Sequence, residues 1–199
     1  MNAALLLGAG RQFSSGLGSL AQLLRHSVVE VRCGQQGSGT GVLWGAGLIV
    51  TNAHCVPDGT PVQIAAAGTW HPARVMAYHP RHDLALLTAI PVSGPVLELR
   101  DGDSLRVGEL VFAHGHPLGV LDALTMGVVH AIPRRQRTDE PRWIVADIRL
   151  APGNSGGPLV DAEGRLVGIN SMVVGGLGIA VPATLVRRFI ERALAERAA

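Results

Sequence analysis

Short apolar runs separated by glycine- and proline-rich breaks make up most of the chain, and they fall into two groups. In the first group, residues 27–33 (SVVEVRC) alternate apolar and polar side chains from Val29 onward, the period of a strand with one buried face. The glycine-rich stretch 34–41 reads as a turn, and further strands are predicted over 42–51, 62–65, 70–78 and 84–88. The second group predicts strands over 110–113, 124–132, 143–148, 158–160, 165–171 and 178–181. Between the groups, 91–108 is rich in turn residues and reads as a connection. Helical spacing occurs twice. Leucines at 17, 20, 23 and 24 predict a short helix over 17–26 behind a tail at 1–16, and apolar residues at 185, 186, 189, 190 and 194 predict a closing amphipathic helix over 183–197. The expected organisation is an arm and short helix (1–26), a first lobe (27–90), the connection (91–108), a second lobe (109–182) and a C-terminal helix (183–199).

Composition narrows the classes. With 47% apolar residues, 26 glycines, 12 prolines and only 16% charged residues in 199, the chain can bury a core and is unlike a disordered one. A net charge of +2 gives no reason to expect a nucleic-acid partner, although all 17 basic residues are arginine. No apolar run reaches the ~18 residues of a membrane span. The start, MNAALLLGAG, has no basic residue before its apolar run, so it is a poor secretory signal. That start points to the cytoplasm, or to a periplasmic or extracellular protein if it is truncated. The 133–141 segment (PRRQRTDEP) reads as a solvated loop. His114/His116 and His79/His82 are pairs of the kind zinc uses, but no cysteine or carboxylate closes a ligand set, so neither metal nor cofactor is expected.

The chemistry centres on 151–159, APGNSGGPL, where Ser155 stands between glycines in a turn bounded by apolar runs. Glycine there permits positive φ and close approach of backbone N–H groups to a substrate. The pattern G-x-S-x-G alone also fits the nucleophile elbow of α/β-hydrolases. A serine needs a base, and all eight histidines precede Ser155, which excludes the order Ser…Asp…His. His54 ends an apolar run entering a polar turn (GLIVTNAHC), and Asp83 directly precedes the strand LALL. Those positions suit a base and a sheltered carboxylate that orients it.

The strings TNAHC, DLALL and GNSGGPL, in the order His54, Asp83, Ser155, resemble the chymotrypsin-like serine proteases. GSGTG at 37–41, LIVTN at 48–52, GHPLG at 115–119 and GIN at 168–170 are most similar to the HtrA (Deg) branch, over roughly residues 20–190. The resemblance implies two packed six-stranded β-barrels, flanked here by the N- and C-terminal helices. It implies a serine endopeptidase with Ser155 as nucleophile, His54 as base and Asp83 as its orienting partner, and with the N–H groups of Gly153 and Ser155 as oxyanion hole. Arg149 would lie near the floor of the primary pocket, Ser171, Met172 and Val173 at its edge, and Gly178 and Ala180 on its wall. Arg149 would turn outward or pair with Asp147, or else accept an acidic substrate side chain. The resemblance also implies extended polypeptide substrates in protein quality control, and Phe13 and Leu17 as candidates for a homotrimer interface. The competing reading is a latent, triad-bearing peptide-binding module. No room remains after residue 199 for the PDZ domain many such proteases carry, so none is expected if the chain is complete. Animal trypsins join the cysteine after the catalytic histidine to one near the position of Gly39; Cys33 lies earlier, so Cys33 and Cys55 are expected to be free thiols. Asn154 replaces the aspartate that pairs with a new N-terminus in digestive trypsins, so no zymogen cleavage is expected.

Overall fold

The computed structural model describes residues 3–34, 38–45, 47–57, 60–100, 104–133 and 143–198. After helix α1 (Ala3–Ser27), six strands follow: β1 (Val28–Cys33), β2 (Ser38–Gly45), β3 (Leu48–Thr51), β4 (Val62–Ala66), β5 (Thr69–His79) and β6 (Leu84–Thr88). They close into an antiparallel barrel in the order β1-β2-β3-β6-β5-β4. A second antiparallel barrel contains β7 (Leu110–Gly115), β8 (Ala123–Ala131), β9 (Ile144–Asp147), β10 (Pro158–Asp161), β11 (Leu166–Val174) and β12 (Leu177–Pro182), ordered β10-β11-β12-β9-β8-β7. Helix α2 (Ala183–Ala198) ends the described chain. Closure gives every strand a neighbour on each side over part of its length.

Strand parity sorts side chains into three cores. Ile49, Ala85 and Leu87 fill the first barrel with Val29, Val31 and Ile64, while Val111, Ala113, Leu159 and Val167 fill the second. The opposite faces of the same strands meet between the barrels, where Val50, Leu84 and Leu86 pack with Phe112, Val160 and Ile169. Leu84 to Leu87 are all 0% exposed, which is why β6 reads as a continuous apolar run instead of an alternation. Burial on both faces holds the barrels together and fixes how their loops meet.

The structure departs from the sequence reading in four places. The N-terminal helix is 25 residues long, not a short one behind a tail. Among its described side chains, those that are buried lie at its end, Leu20, Leu24 and Ser27, while Gly8 to Phe13 are exposed. An exposed helix carries no apolar period to detect, although alanine, leucine, arginine and glutamine favour it. Phe13 is exposed and Leu17 packs partly on the core. Secondly, residues 38–41 continue β2 instead of turning. A Cβ on Gly41 would stand 2.6 Å from Ile49 Cγ2, so this glycine makes room inside the barrel. Thirdly, the run 42–51 is a hairpin bent at Gly47, whose φ is 72°. Lastly, on α2 the buried positions are Ala183, Val186, Ile190 and Ala193, with Leu194 39% exposed. The loop expected at 133–141 lies outside the described residues apart from Pro133.

Candidate active site

His54 sits on a 3₁₀ turn (Ala53–Cys55) at the end of β3. Asp83 lies at the end of a second such turn (Pro80–His82), in the left-handed region (φ 53°, ψ 47°), just before β6. Because β3 and β6 are paired neighbours, the two turns emerge side by side. Asn52, 0% exposed, ties them together by donating Nδ2 to the Asp83 carbonyl at 2.9 Å. His54 Nδ1 lies 2.9 Å from both Asp83 carboxylate oxygens, and the His54 backbone N–H donates to Oδ1 at 3.1 Å. Ser171 Oγ donates to Oδ2 at 2.5 Å. The carboxylate is 14% exposed and the imidazole 52%, so the acid is sheltered and the ring faces the cleft. Hydrogen bonding to Asp83 raises the His54 pKa well above its ordinary value, and the neighbouring Cys55 adds to the rise.

Ser155 comes from the second barrel, on the turn between β9 and β10. Gly153 (φ 103°) and Gly156 (φ 82°) bracket it in conformations that favour glycine. A Cβ on Gly153 would collide with the His116 carbonyl, and one on Gly156 with the Thr40 carbonyl. Ser155 Oγ donates to the Ser171 carbonyl at 3.0 Å rather than to His54. Among the described residues, no acceptor takes the backbone N–H of Gly153 or of Ser155. Both donors are therefore open.

Ser171 is buried, whereas Met172, Val173 and Val174 are 45%, 49% and 57% exposed. β10 pairs with β11 only as far as Ile169, so along 171–174 one backbone edge of β11 has no partner strand among the described residues. Gly178 and Ala180 are buried on β12, and a Cβ on Gly178 would stand 2.8 Å from Ile148 Cγ2 and 2.9 Å from Leu150 Cδ1. Leu150 is the neighbour that the sequence reading missed; it is one residue past Arg149 and so of opposite parity. Arg149 is exposed, the outward alternative, so its guanidinium stands in water, where it needs no buried partner.

A cleft of about 390 Å³ opens at His54 and Ser155, walled by Gly153, Leu118, Cys33 and Cys55 and by none of the 171–174 edge. The two thiols are not bonded to each other. Cys55 is half-buried, with Sγ 3.8 Å from the Ser155 carbonyl, and Cys33 is buried, which raises its thiol pKa. His114 and His116 are buried with their rings 6.4 Å apart and nearly perpendicular, and burial pushes both pKa values down, His114 to about 4. His79 and His82 stack at 4.1 Å. Among the described residues, no three side chains form a metal-ligand group.

Two closed barrels with a histidine–aspartate pair on one and a glycine-bracketed serine on the other define a trypsin-like peptidase. The chain belongs to that family, the trypsin-like peptidase domain, which matches residues 39–169. Within it this is an HtrA-type protease domain. A probable periplasmic serine endoprotease, DegP-like, of Chlamydia pneumoniae is 35% identical over 164 residues, covering 77% of this chain and 34% of that protein. Mitochondrial serine protease HTRA2 of Drosophila pseudoobscura pseudoobscura is 40% identical over 161 residues, covering 76% of this chain and 38% of that protein. The solved structure of the HtrA-type protease AlgW with decapeptide superposes with a TM-score of 0.79 at 25% identity, covering 88% of this chain and 66% of that one. The chain thus spans between 34% and 38% of the length of these two curated relatives.

Proposed function

We propose that this chain is a serine endopeptidase acting on extended polypeptide through an acyl-enzyme. The observation that carries the reading is the contact of His54 Nδ1 with the sheltered Asp83 carboxylate, 2.9 Å to each oxygen, beside Ser155. Asp83 holds the proton on Nδ1 and leaves Nε2 to act as base. Ser155 Oγ leaves the Ser171 carbonyl, gives its proton to His54 and attacks the scissile carbonyl. The open N–H groups of Gly153 and Ser155 take the developing oxyanion, each worth about 3 kcal/mol. Protonated His54 then gives its proton to the leaving amine, and water reverses the sequence to release the acid.

Extended substrate is favoured by the free backbone edge at 171–174, which lets a peptide add as a strand. The AlgW structure was solved with a decapeptide, and peptide binding comes to this chain by that likeness. The cleft walled by Leu118, Cys33 and Cys55 takes the residues after the scissile bond. Action on unfolded proteins in quality control, and self-association as a trimer, belong to this reading by likeness to HtrA proteases.

One observation favours a latent state instead: the resting Ser155 hydroxyl is bonded to Ser171 and not to His54. The test is labelling with a fluorophosphonate probe and peptide mapping, with Ser155→Ala as control. Label on Ser155 alone supports the protease; a folded chain that takes no label supports the latent module.

A further inference from the structure

Four consecutive carbonyls, from Pro152 to Ser155, each have a hydrogen-bond donor, and Thr40 supplies two of the four. Leu118 N donates to Pro152 O at 2.9 Å and Gly157 N to Asn154 O at 3.0 Å, both within the second barrel. Thr40 Oγ1 donates to Gly153 O at 2.7 Å, and Thr40 N to Ser155 O at 2.8 Å, which Cys55 Sγ approaches only at 3.8 Å. Thr40 lies on β2 of the first barrel and is 0% exposed. Its hydroxyl also accepts from His116 N at 3.2 Å, so its one proton is committed to Gly153 O. The Thr40 carbonyl in turn accepts from Thr51 Oγ1 at 2.7 Å, and Thr51 ends β3 three residues before His54.

The surrounding glycines make room for this contact. A Cβ on Gly115 would stand 2.8 Å from Thr40 Oγ1, one on Gly157 would stand 3.2 Å from Thr40 Cγ2, and one on Gly156 would collide with both the Thr40 carbonyl and Thr51 Oγ1. The two threonines therefore form a strut from the strand that leads into the His54 turn to the turn that carries Ser155.

We propose that Thr40 is a positioning residue that holds the nucleophile turn in register with His54 across the barrel interface, so that Ser155 and the open N–H donors face one point. This rests on the protease reading above. In a trans peptide the C=O of one residue points opposite to the N–H of the next, so the two carbonyls that Thr40 holds belong to the peptide planes on either side of the one that carries the Ser155 N–H, and the plane before them carries the Gly153 N–H. Loss of the hydroxyl frees the Gly153 carbonyl and lets the turn rotate. A misplacement of about 1 Å there costs on the order of a hundredfold in rate.

The experiment compares Thr40→Val, which keeps shape and removes the hydroxyl, with Thr40→Ser, which keeps the hydroxyl, in the full chain. Fluorophosphonate labelling rate, kcat and KM on a peptide substrate, and thermal unfolding are measured for each. T40V is expected to lose about a hundredfold in kcat and in labelling rate with KM changed less than about threefold, while T40S stays within about fivefold of the parent. Should T40V not fold, Thr40→Ala takes its place with the same expected loss relative to T40S. Equal turnover by T40V and the parent, or an equal loss in T40S and T40V, would overturn the role of the hydroxyl. A parent chain that takes no label would bring down the protease reading itself, whereas a labelled parent matched by T40V would remove only the role of Thr40.

Discussion

Ser171 donates its hydroxyl to Asp83 Oδ2 at 2.5 Å, joining the second barrel to the carboxylate of the first. Its carbonyl accepts the resting Ser155 hydroxyl at 3.0 Å. One residue therefore contacts both ends of the proposed catalytic group. Ser171→Ala removes a charge-assisted bond and leaves more of the carboxylate's charge to the imidazole. The acidic limb of kcat/KM should move to higher pH, with a maximal rate roughly tenfold lower. Kinetics across a pH series decide it; a limb that stays put or moves down contradicts the assignment.

His54 must be neutral to act as base, and Asp83 raises its pKa above 6.5. Activity should rise with pH through a value above 6.5. Asp83→Asn should shift that limb downward and cut kcat by about 10⁴. The sign for stability is the reverse of that for activity. A raised folded-state pKa contributes stability that is complete below 6.5 and is lost as pH rises through the folded value, so Asp83→Asn should destabilise more in mildly acidic than in alkaline solution.

His114 is fully buried and, among the described residues, neither ring nitrogen has a partner. Burial lowers its pKa to about 4; Asp122 opposes the shift, while His116 and Arg25 reinforce it. The unfolded chain protonates near 6.5 and the folded one only near 4, so stability should fall between those values by about 3 kcal/mol. Denaturant titrations at several pH values measure this, with His116 adding a shift of the same sign. The His114→Leu variant should have a shallower slope; an unchanged slope would assign the effect elsewhere.

Cys55 lines the cleft next to His54, while Cys33 is 3% exposed with its thiol pKa raised by burial. A maleimide should therefore modify Cys55 first. Its adduct would fill the space for residues after the scissile bond and reduce peptide turnover at least tenfold, by the steric cost of an overfilled site. Cys55→Ala should be resistant to the reagent. Full activity of the modified parent, with the adduct mapped to Cys55, would show that substrate does not use this cleft.

Much of the architecture was legible because each barrel strand buries a face. The run at 84–88 marked β6 correctly, and the order His54, Asp83, Ser155 singled out the residues that the fold brings close. Glycines misled where their role was to vacate space. Gly39 and Gly41 read as a turn, yet a Cβ on Gly39 would stand 2.8 Å from Cys55 Sγ and one on Gly41 would press on Ile49, both inside a strand. The stretch Gly8 to Phe13 of α1 was missed because an exposed helix has no apolar stripe.

The sequence by itself determined the two groups of strands, the all-β class and the chemistry-bearing types at His54, Asp83 and Ser155, because these follow from local periodicity and from the needs of a serine nucleophile. Only the tertiary structure decided that Ser171 would hold Asp83, that Thr40 would grip Gly153 and Ser155, that Arg149 would turn to water and that 171–174 would keep a free edge. The two hydroxyl contacts join residues 88 and 113 positions apart across the barrel interface. Their geometry depends on how two closed barrels pack, and no local pattern records that.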